Sequence, residues 1–489
     1  METSVKMSTL VKRSAVILWL LCLAYTIESY LILLRDDFLL ERISVLTKNP
    51  WILEAGRRWA VILHVNSLPT PLLFLTISAM FLVYFRLLKI LSNTQKELTQ
   101  TANLITKCCV VFMITLFFSF PALSTDVFDY ISSNRVLFVH QANPWLVAPQ
   151  EFPDDEFIYL GSWKYRASVY GPVQFLFSSL VHLMGRDNLI ASLFGFKLTA
   201  LVFTILAVWI TKKWLKEQFP ERQAYGIAVL AWNPLLLIEI VGNAHNDIIM
   251  AFFSLLGCYL FYKKRYNLSA LSLACAVLTK MTALLILPLL GIWLIGKHRL
   301  KQSARMAVTF ILVTLSGMIS LGSGFSGLLH NLGIQLGLYL RSLPTILRFF
   351  FLNLGLSNRL ALYGEKALTL PAFGILVIKS IQYLKHRGFI SAIVVVMTGY
   401  LLLVSPMLQP WYLVWVLPFV ALLKRGKLQL GALAFSMSSL LYYPVLFVSY
   451  YFSPLHFSWQ IVMFLFMVIP PLIVWFTPKS WYTSVRNKI

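Results

Sequence analysis

Apolar runs of about 17–25 residues recur along this chain. Each is long enough to cross a hydrocarbon layer of about 30 Å as a helix. That recurrence leaves little freedom. A backbone in lipid must satisfy its own hydrogen bonds, so the runs are read as helices of a polytopic bundle. Composition agrees, since 58% of the 489 residues are hydrophobic and only 12% are charged. A soluble globule does not tolerate that balance.

The charges then sort by side. Laid out as alternating loops, one face collects 26 of the 42 Lys and Arg but only 4 of the 19 Asp and Glu. Basic loops stay in the cytoplasm, which makes that face the inner one and puts both termini inside. The net charge of +23 is thus a topology signal, and no nucleic-acid partner is expected. Cys22, Cys108, Cys109, Cys258 and Cys275 all lie in apolar runs and read as packing residues.

The expected spans are 15–34, 70–92, 105–123, 189–211, 222–240, 248–262, 306–321, 366–384, 389–405, 411–423, 429–449 and 458–476. This describes an all-α polytopic membrane protein of about 12 spanning helices. It is expected to be one domain over 1–489, with no separate soluble part and no internal repeat. Residues 171–185 form an apolar stretch between Tyr170 and a span ending in Lys212, Lys213 and Lys216, so they read as an interfacial or half-inserted helix. The halves 268–279 and 282–296 both have basic far ends, which makes them a re-entrant hairpin with Lys280 at its apex. The longest polar loop on the outer face is 124–170, and loops of that length usually carry function.

Every chemical-looking motif falls on that outer face. In Ser124-Thr125-Asp126-Val127-Phe128-Asp129-Tyr130, helical spacing puts Asp126, Asp129 and Tyr130 on one side. A carboxylate there suits a general base, and its neighbour would raise its proton affinity or help bind a cation. The same letters also suit an ordinary helix start with acids in the first turn. Asn143-Pro144-Trp145 and Tyr170-Gly171-Pro172 bracket the rest of the loop. They read as interfacial turns or as sugar-stacking elements.

Asn233-Pro234 opens a run through Glu239 to Gly242-Asn243-Ala244-His245-Asn246-Asp247. Ionisable groups at such depth carry a functional expectation, with Asn243 and Asp247 facing one substrate. A network that satisfies a broken helix end is the plain alternative. Lys280 is placed to meet a phosphate, and Lys197, inside a span, joins it as a second candidate. Snorkelling is the alternative for both. Arg341 and Arg348, seven apart, fall on one face of a segment and suit phosphate oxygens. Ser405-Pro406-Met407-Leu408-Gln409-Pro410-Trp411-Tyr412 joins two spans and offers Gln409, Trp411 and Tyr412 to a ligand.

In this order and spacing the motifs resemble the C-type superfamily of integral-membrane glycosyltransferases, and within it the bacterial polyprenyl-phosphate-mannose-dependent α-mannosyltransferases. The resemblance runs from about Ser124 to Tyr412 and is most specific over Asn233–Lys280. It implies a polyprenyl-phosphate-linked sugar donor, with mannose as the sugar, and a glycan or glycolipid acceptor. It also implies a catalytic base at Asp126, and a divalent cation is left open. The superfamily usually carries its base directly after the first helix, which makes Asp36 and Asp37 rivals. A transporter or flippase for lipid-linked sugars would share the outer polar site and the broken helices, but the acids here cluster near one surface and no paired repeat is present.

Overall fold

The computed structural model describes residues 2–63, 68–92, 98–386, 388–449 and 457–477. Lys96, one of the basic residues that set the sidedness, lies outside them. Among the described residues no β-strand forms, and the chain is an all-α polytopic membrane protein. Eight helices of the described residues are long and apolar enough to span: Ser8–Leu34, Pro69–Ser92, Thr99–Phe117, Leu189–Gln218, Leu300–Ile319, Asn358–Leu384, Lys427–Ser449 and Ser458–Phe476. A ninth is the pair Pro220–Ala231 and Leu236–Gly242, bent by 53° at Asn233-Pro234.

Other expected spans take shorter forms. Residues 248–262 and 389–405 become the helices Asp247–Tyr262 and Phe389–Leu403. The stretch 411–423 divides into a 3-10 turn, Pro410–Trp415, and a short helix, Leu417–Leu422. Pro410 and Pro418 explain that division, since each removes a backbone donor and crowds the preceding turn. Nearly all of this segment is buried, so neighbouring helices rather than lipid surround its irregular backbone.

Pro172–Gly185 is a helix of 14 residues, too short to cross. The hairpin is also present: Tyr266–Val277 and Ile286–Gly296 flank an extended Lys280 and the 3-10 turn Met281–Leu285. The segment 35–69 contains two amphipathic helices, Asp37–Leu46 and Trp51–Ile62.

The centre of the bundle is the run from Ala224 to Ala251, buried throughout. Here Leu236–Gly242 is a π-helix, a form concentrated at functional sites. Asn233 holds its entry: Oδ1 accepts from the Leu235 amide at 2.9 Å and from Ser436 Oγ at 2.9 Å. At the exit Ala244 adopts a left-handed φ of 62°, which costs an L-residue about 1 kcal/mol. That turn sends His245 back beneath the π segment. The five cysteines are free and buried or half-buried, as packing residues should be.

Candidate functional site

One cavity of about 640 Å³ opens against the expected motifs. Its polar end is lined by Asp126, Asp129, Arg166, Tyr170, Lys280, Gln409, Trp411 and Tyr412. Away from these the wall is almost wholly apolar, with Leu284, Leu285, Pro288, Leu289, Ile292, Phe373, Val377 and Val396.

Two backbone dockings build the polar end. The Tyr170-Gly171-Pro172 turn lies against the hairpin apex, where the Gly171 amide donates to Thr279 O at 3.2 Å and the Val173 amide to Leu278 O at 3.1 Å. A Cβ at position 171 would overlap the Leu278 carbonyl oxygen. Only glycine allows that approach. Opposite, Leu340 and Leu408 join the two loops, with Leu340 N donating to Pro406 O at 3.0 Å and Leu408 N to Leu340 O at 3.1 Å.

Asp126 and Asp129 sit in the first turn of helix Asp126–Phe138 and both reach the cavity. The helix-start reading and a place on the cavity wall are therefore compatible in the same residues. Their surroundings differ. Asp129 is buried, and its Oδ1 accepts from the Trp163 amide at 2.8 Å. Burial, and then the charge of Asp126, push the Asp129 pKa well above the usual carboxylate range, against the opposing pull of the Trp163 and Ser162 amides. Asp129 is thus suited to anchoring the loop, while Asp126, with 14% of its side chain exposed, faces the open space.

Behind Asp126 stands His245, fully buried between two acids. Nδ1 lies 3.6 Å from Asp126 Oδ2 and Nε2 3.3 Å from Glu239 Oε2, which are ion-pair distances without hydrogen-bond geometry. Burial works against the charged imidazole, but the two carboxylates outweigh it and hold its pKa up at about 9. The ring stacks on Trp411, with centroids 4.0 Å apart and planes at 16°.

Lys280 Nζ pairs with Asp247 Oδ1 at 2.6 Å and lies over Tyr170, Tyr412 and Trp415 at 5.8, 5.2 and 5.4 Å. The second run thus divides in a way its letters do not show. Glu239, Asn243, His245 and Asp247 are all buried, and none lines the cavity. Asn243 faces inward rather than joining Asp247 on a substrate: its Oδ1 accepts from the Leu123 amide at 3.1 Å. The π turn and left-handed Ala244 place these groups behind the wall, where they support Asp126 and Lys280.

Four other candidates stand apart from the cavity. Lys197 is fully buried and donates to Ser119 O and Gly242 O, each at 2.6 Å, and to Leu116 O at 3.3 Å. It ties the helix ends at Ser119 and Gly242 through their carbonyls and does not line the cavity. Asn143 Oδ1 accepts from the Trp145 amide at 3.0 Å, closing a local turn. Arg341 and Arg348 do not share a helix face. Helix Leu343–Asn353 begins only after Ser342, and Arg341, at a φ of 52°, precedes it. Arg341 lies over Tyr442 at 5.1 Å and Arg348 over Tyr339 at 4.4 Å.

The rival acids are also remote. Asp36 caps helix Asp37–Leu46 by accepting from the Leu39 amide at 2.9 Å, and Asp37 pairs with Arg57 at 2.7 Å. Neither lines the cavity. Among the described residues no group of three or more His, Cys, Asp or Glu side chains is arranged to hold a metal ion. Arg166 and Trp415 had no signal of their own in the sequence; each sits inside an aromatic run that reads as interface or packing.

Comparison with known proteins fits this layout. Two relatives cover much of the chain. An alpha-(1->6)-mannopyranosyltransferase A of Mycobacterium tuberculosis is 23% identical over 414 residues, 80% of this chain and 78% of that protein. An alpha-(1->6)-mannopyranosyltransferase B of Corynebacterium glutamicum is 24% identical over 369 residues. That match takes in 65% of this chain but 58% of the relative's length. The family described as alpha-(1->6)-mannopyranosyltransferase, N-terminal domain, matches residues 42–296, which include Asp126, the π segment and Lys280. With just over half of its length inside that match, the chain belongs to the alpha-(1->6)-mannopyranosyltransferase family.

Proposed function

We propose that the protein is a membrane mannosyltransferase that moves mannose from a polyprenyl-phosphate donor to a glycan or glycolipid acceptor on the extracytoplasmic face. One observation carries the reading: Asp126 and Lys280 reach the same cavity, most of whose wall away from its polar end is apolar. A base and a cation suit a sugar phosphate ester, and the apolar wall suits a lipid tail. The relatives' names supply mannose and the α-(1→6) linkage. The basic inner loops supply the side, with both termini in the cytoplasm.

The chemistry follows from the residues. The acceptor hydroxyl gives its proton to Asp126 as its oxygen attacks the anomeric carbon. The bond from that carbon to the phosphate oxygen breaks, and the polyprenyl phosphate leaves with the electron pair. Lys280 stabilises the charge that gathers on the departing oxygen. One base and one displacement invert the anomeric centre, so an α product requires a β-linked donor. Trp411 and Tyr412, each already stacked on one side by His245 and Trp415 respectively, line the space for the sugar, and Gln409 offers it a neutral hydrogen-bonding head.

The purified chain in detergent, given radiolabelled polyprenyl-phosphate-mannose and an α-mannoside acceptor, tests the reading. Formation of a lengthened mannoside supports it. Absence of transfer, with movement of the lipid-linked sugar across reconstituted vesicles instead, would replace it with the transporter reading.

A further inference from the structure

The cations at the polar end of the cavity are not equivalent. Lys280 is engaged: Asp247 takes its charge at 2.6 Å, and three aromatic rings surround it. His245 lies behind the wall between Asp126 and Glu239. Arg166 also lines the cavity, but among the described residues its guanidinium has neither an ion pair nor a hydrogen bond. Its Nη1 is buried without a partner. Among the described residues the group lies over the Trp163 ring, 5.2 Å from Cζ.

A buried guanidinium N–H without an acceptor costs free energy, and such a group calls for an explanation. The position is built, not frayed. Asp129 Oδ1 holds the Trp163 amide at 2.8 Å, and the Arg166 amide donates to Trp163 O at 3.0 Å, closing the turn. Gly161 packs directly on the Asp129 carboxyl, where a side chain at 161 would overlap Oδ1. The loop is thereby fixed with an unpaired cation over the space that Lys280 also faces. A planar guanidinium with free N–H groups matches a phosphate, which it binds in a two-pronged fashion.

From this we infer that Arg166 binds the phosphate of the lipid-linked donor, in the cavity that Lys280 also lines, and holds the same phosphate as it departs. The inference rests on the phosphate-donor reading above and assigns a residue to it. Asp129 then acts as a positioning residue, setting the Trp163–Arg166 turn rather than taking a proton.

The test is equilibrium binding of sugar-free polyprenyl phosphate to the full chain in detergent, with uncharged polyprenol and inorganic phosphate as competing probes. Arg166→Ala is expected to weaken polyprenyl phosphate at least tenfold, to leave polyprenol binding unchanged, and to keep the thermal unfolding midpoint. Arg166→Lys is expected to fall between them, since a charge remains without the fork. Inorganic phosphate is expected to displace the lipid only at far higher concentration. Equal affinity of Arg166→Ala and the intact chain for polyprenyl phosphate would overturn the inference and leave the donor reading standing. A matching loss of polyprenol binding would overturn it too, by making Arg166 structural. Displacement by inorganic phosphate at the lipid's own concentration would overturn the lipid assignment. An intact chain that binds polyprenol as well as polyprenyl phosphate would sink the inference and the donor reading together.

Discussion

Lys280 Nζ lies 2.6 Å from Asp247 Oδ1, and the Trp415 indole donates to the same oxygen at 2.5 Å. The pair joins the hairpin apex to the first residue of helix Asp247–Tyr262. Asp247 is fully buried while Lys280 keeps a fifth of its side chain exposed, so the lysine faces the cavity and the acid holds it there. Lys280→Ala strands a buried carboxylate and is expected to lower stability by about 3 kcal/mol. Lys280→Met with Asp247→Asn should recover most of that loss without recovering transfer. Unfolding midpoints beside transfer rates check both halves.

His245 makes stability depend on pH with a definite sign. Its folded pKa of about 9 stands above the ordinary value of 6.5. The contribution is full below about 6.5 and is lost as pH rises through about 9. The unfolding midpoint of the intact chain should therefore fall between pH 7 and pH 10. His245→Gln should start lower and show a flatter profile over that range.

Part of the polar lining of the cavity is legible in the sequence. Asp126 and Lys280 stood out as ionisable residues at the outer ends of apolar runs, and the hairpin was visible because both of its far ends are basic. Lys197 stands apart from the cavity for a physical reason: sequence does not show which helix ends need a donor, and that lysine serves the carbonyls of Ser119 and Gly242. The 411–423 span was expected from hydropathy alone, but hydropathy does not separate a lipid-facing helix from a buried broken one. The separation of Asn243 from Asp247 depends on the left-handed Ala244, which no residue type announces.

Lys197→Met removes the donor from Ser119 O and Gly242 O and is expected to cost about 3 kcal/mol, from roughly 1–3 for each carbonyl left unpaired. Molecules that still fold should transfer with an unchanged donor KM. A large rise in KM at preserved stability would return Lys197 to the phosphate site.

Gly171→Ala places a methyl group on the Leu278 carbonyl oxygen and should push Tyr170 away from Lys280. Donor binding is expected to weaken more than the unfolding midpoint falls. A variant with intact affinity would show that the turn can shift without cost to the cavity.

The central claim is that Asp126 takes the acceptor's proton. Its most direct test is mannosyl transfer from polyprenyl-phosphate-mannose by the intact chain and by Asp126→Asn, beside their affinities for the donor. The account predicts a rate lower by at least about 100-fold in the variant, with donor affinity nearly unchanged. Transfer at the intact rate by a folded Asp126→Asn protein would contradict it.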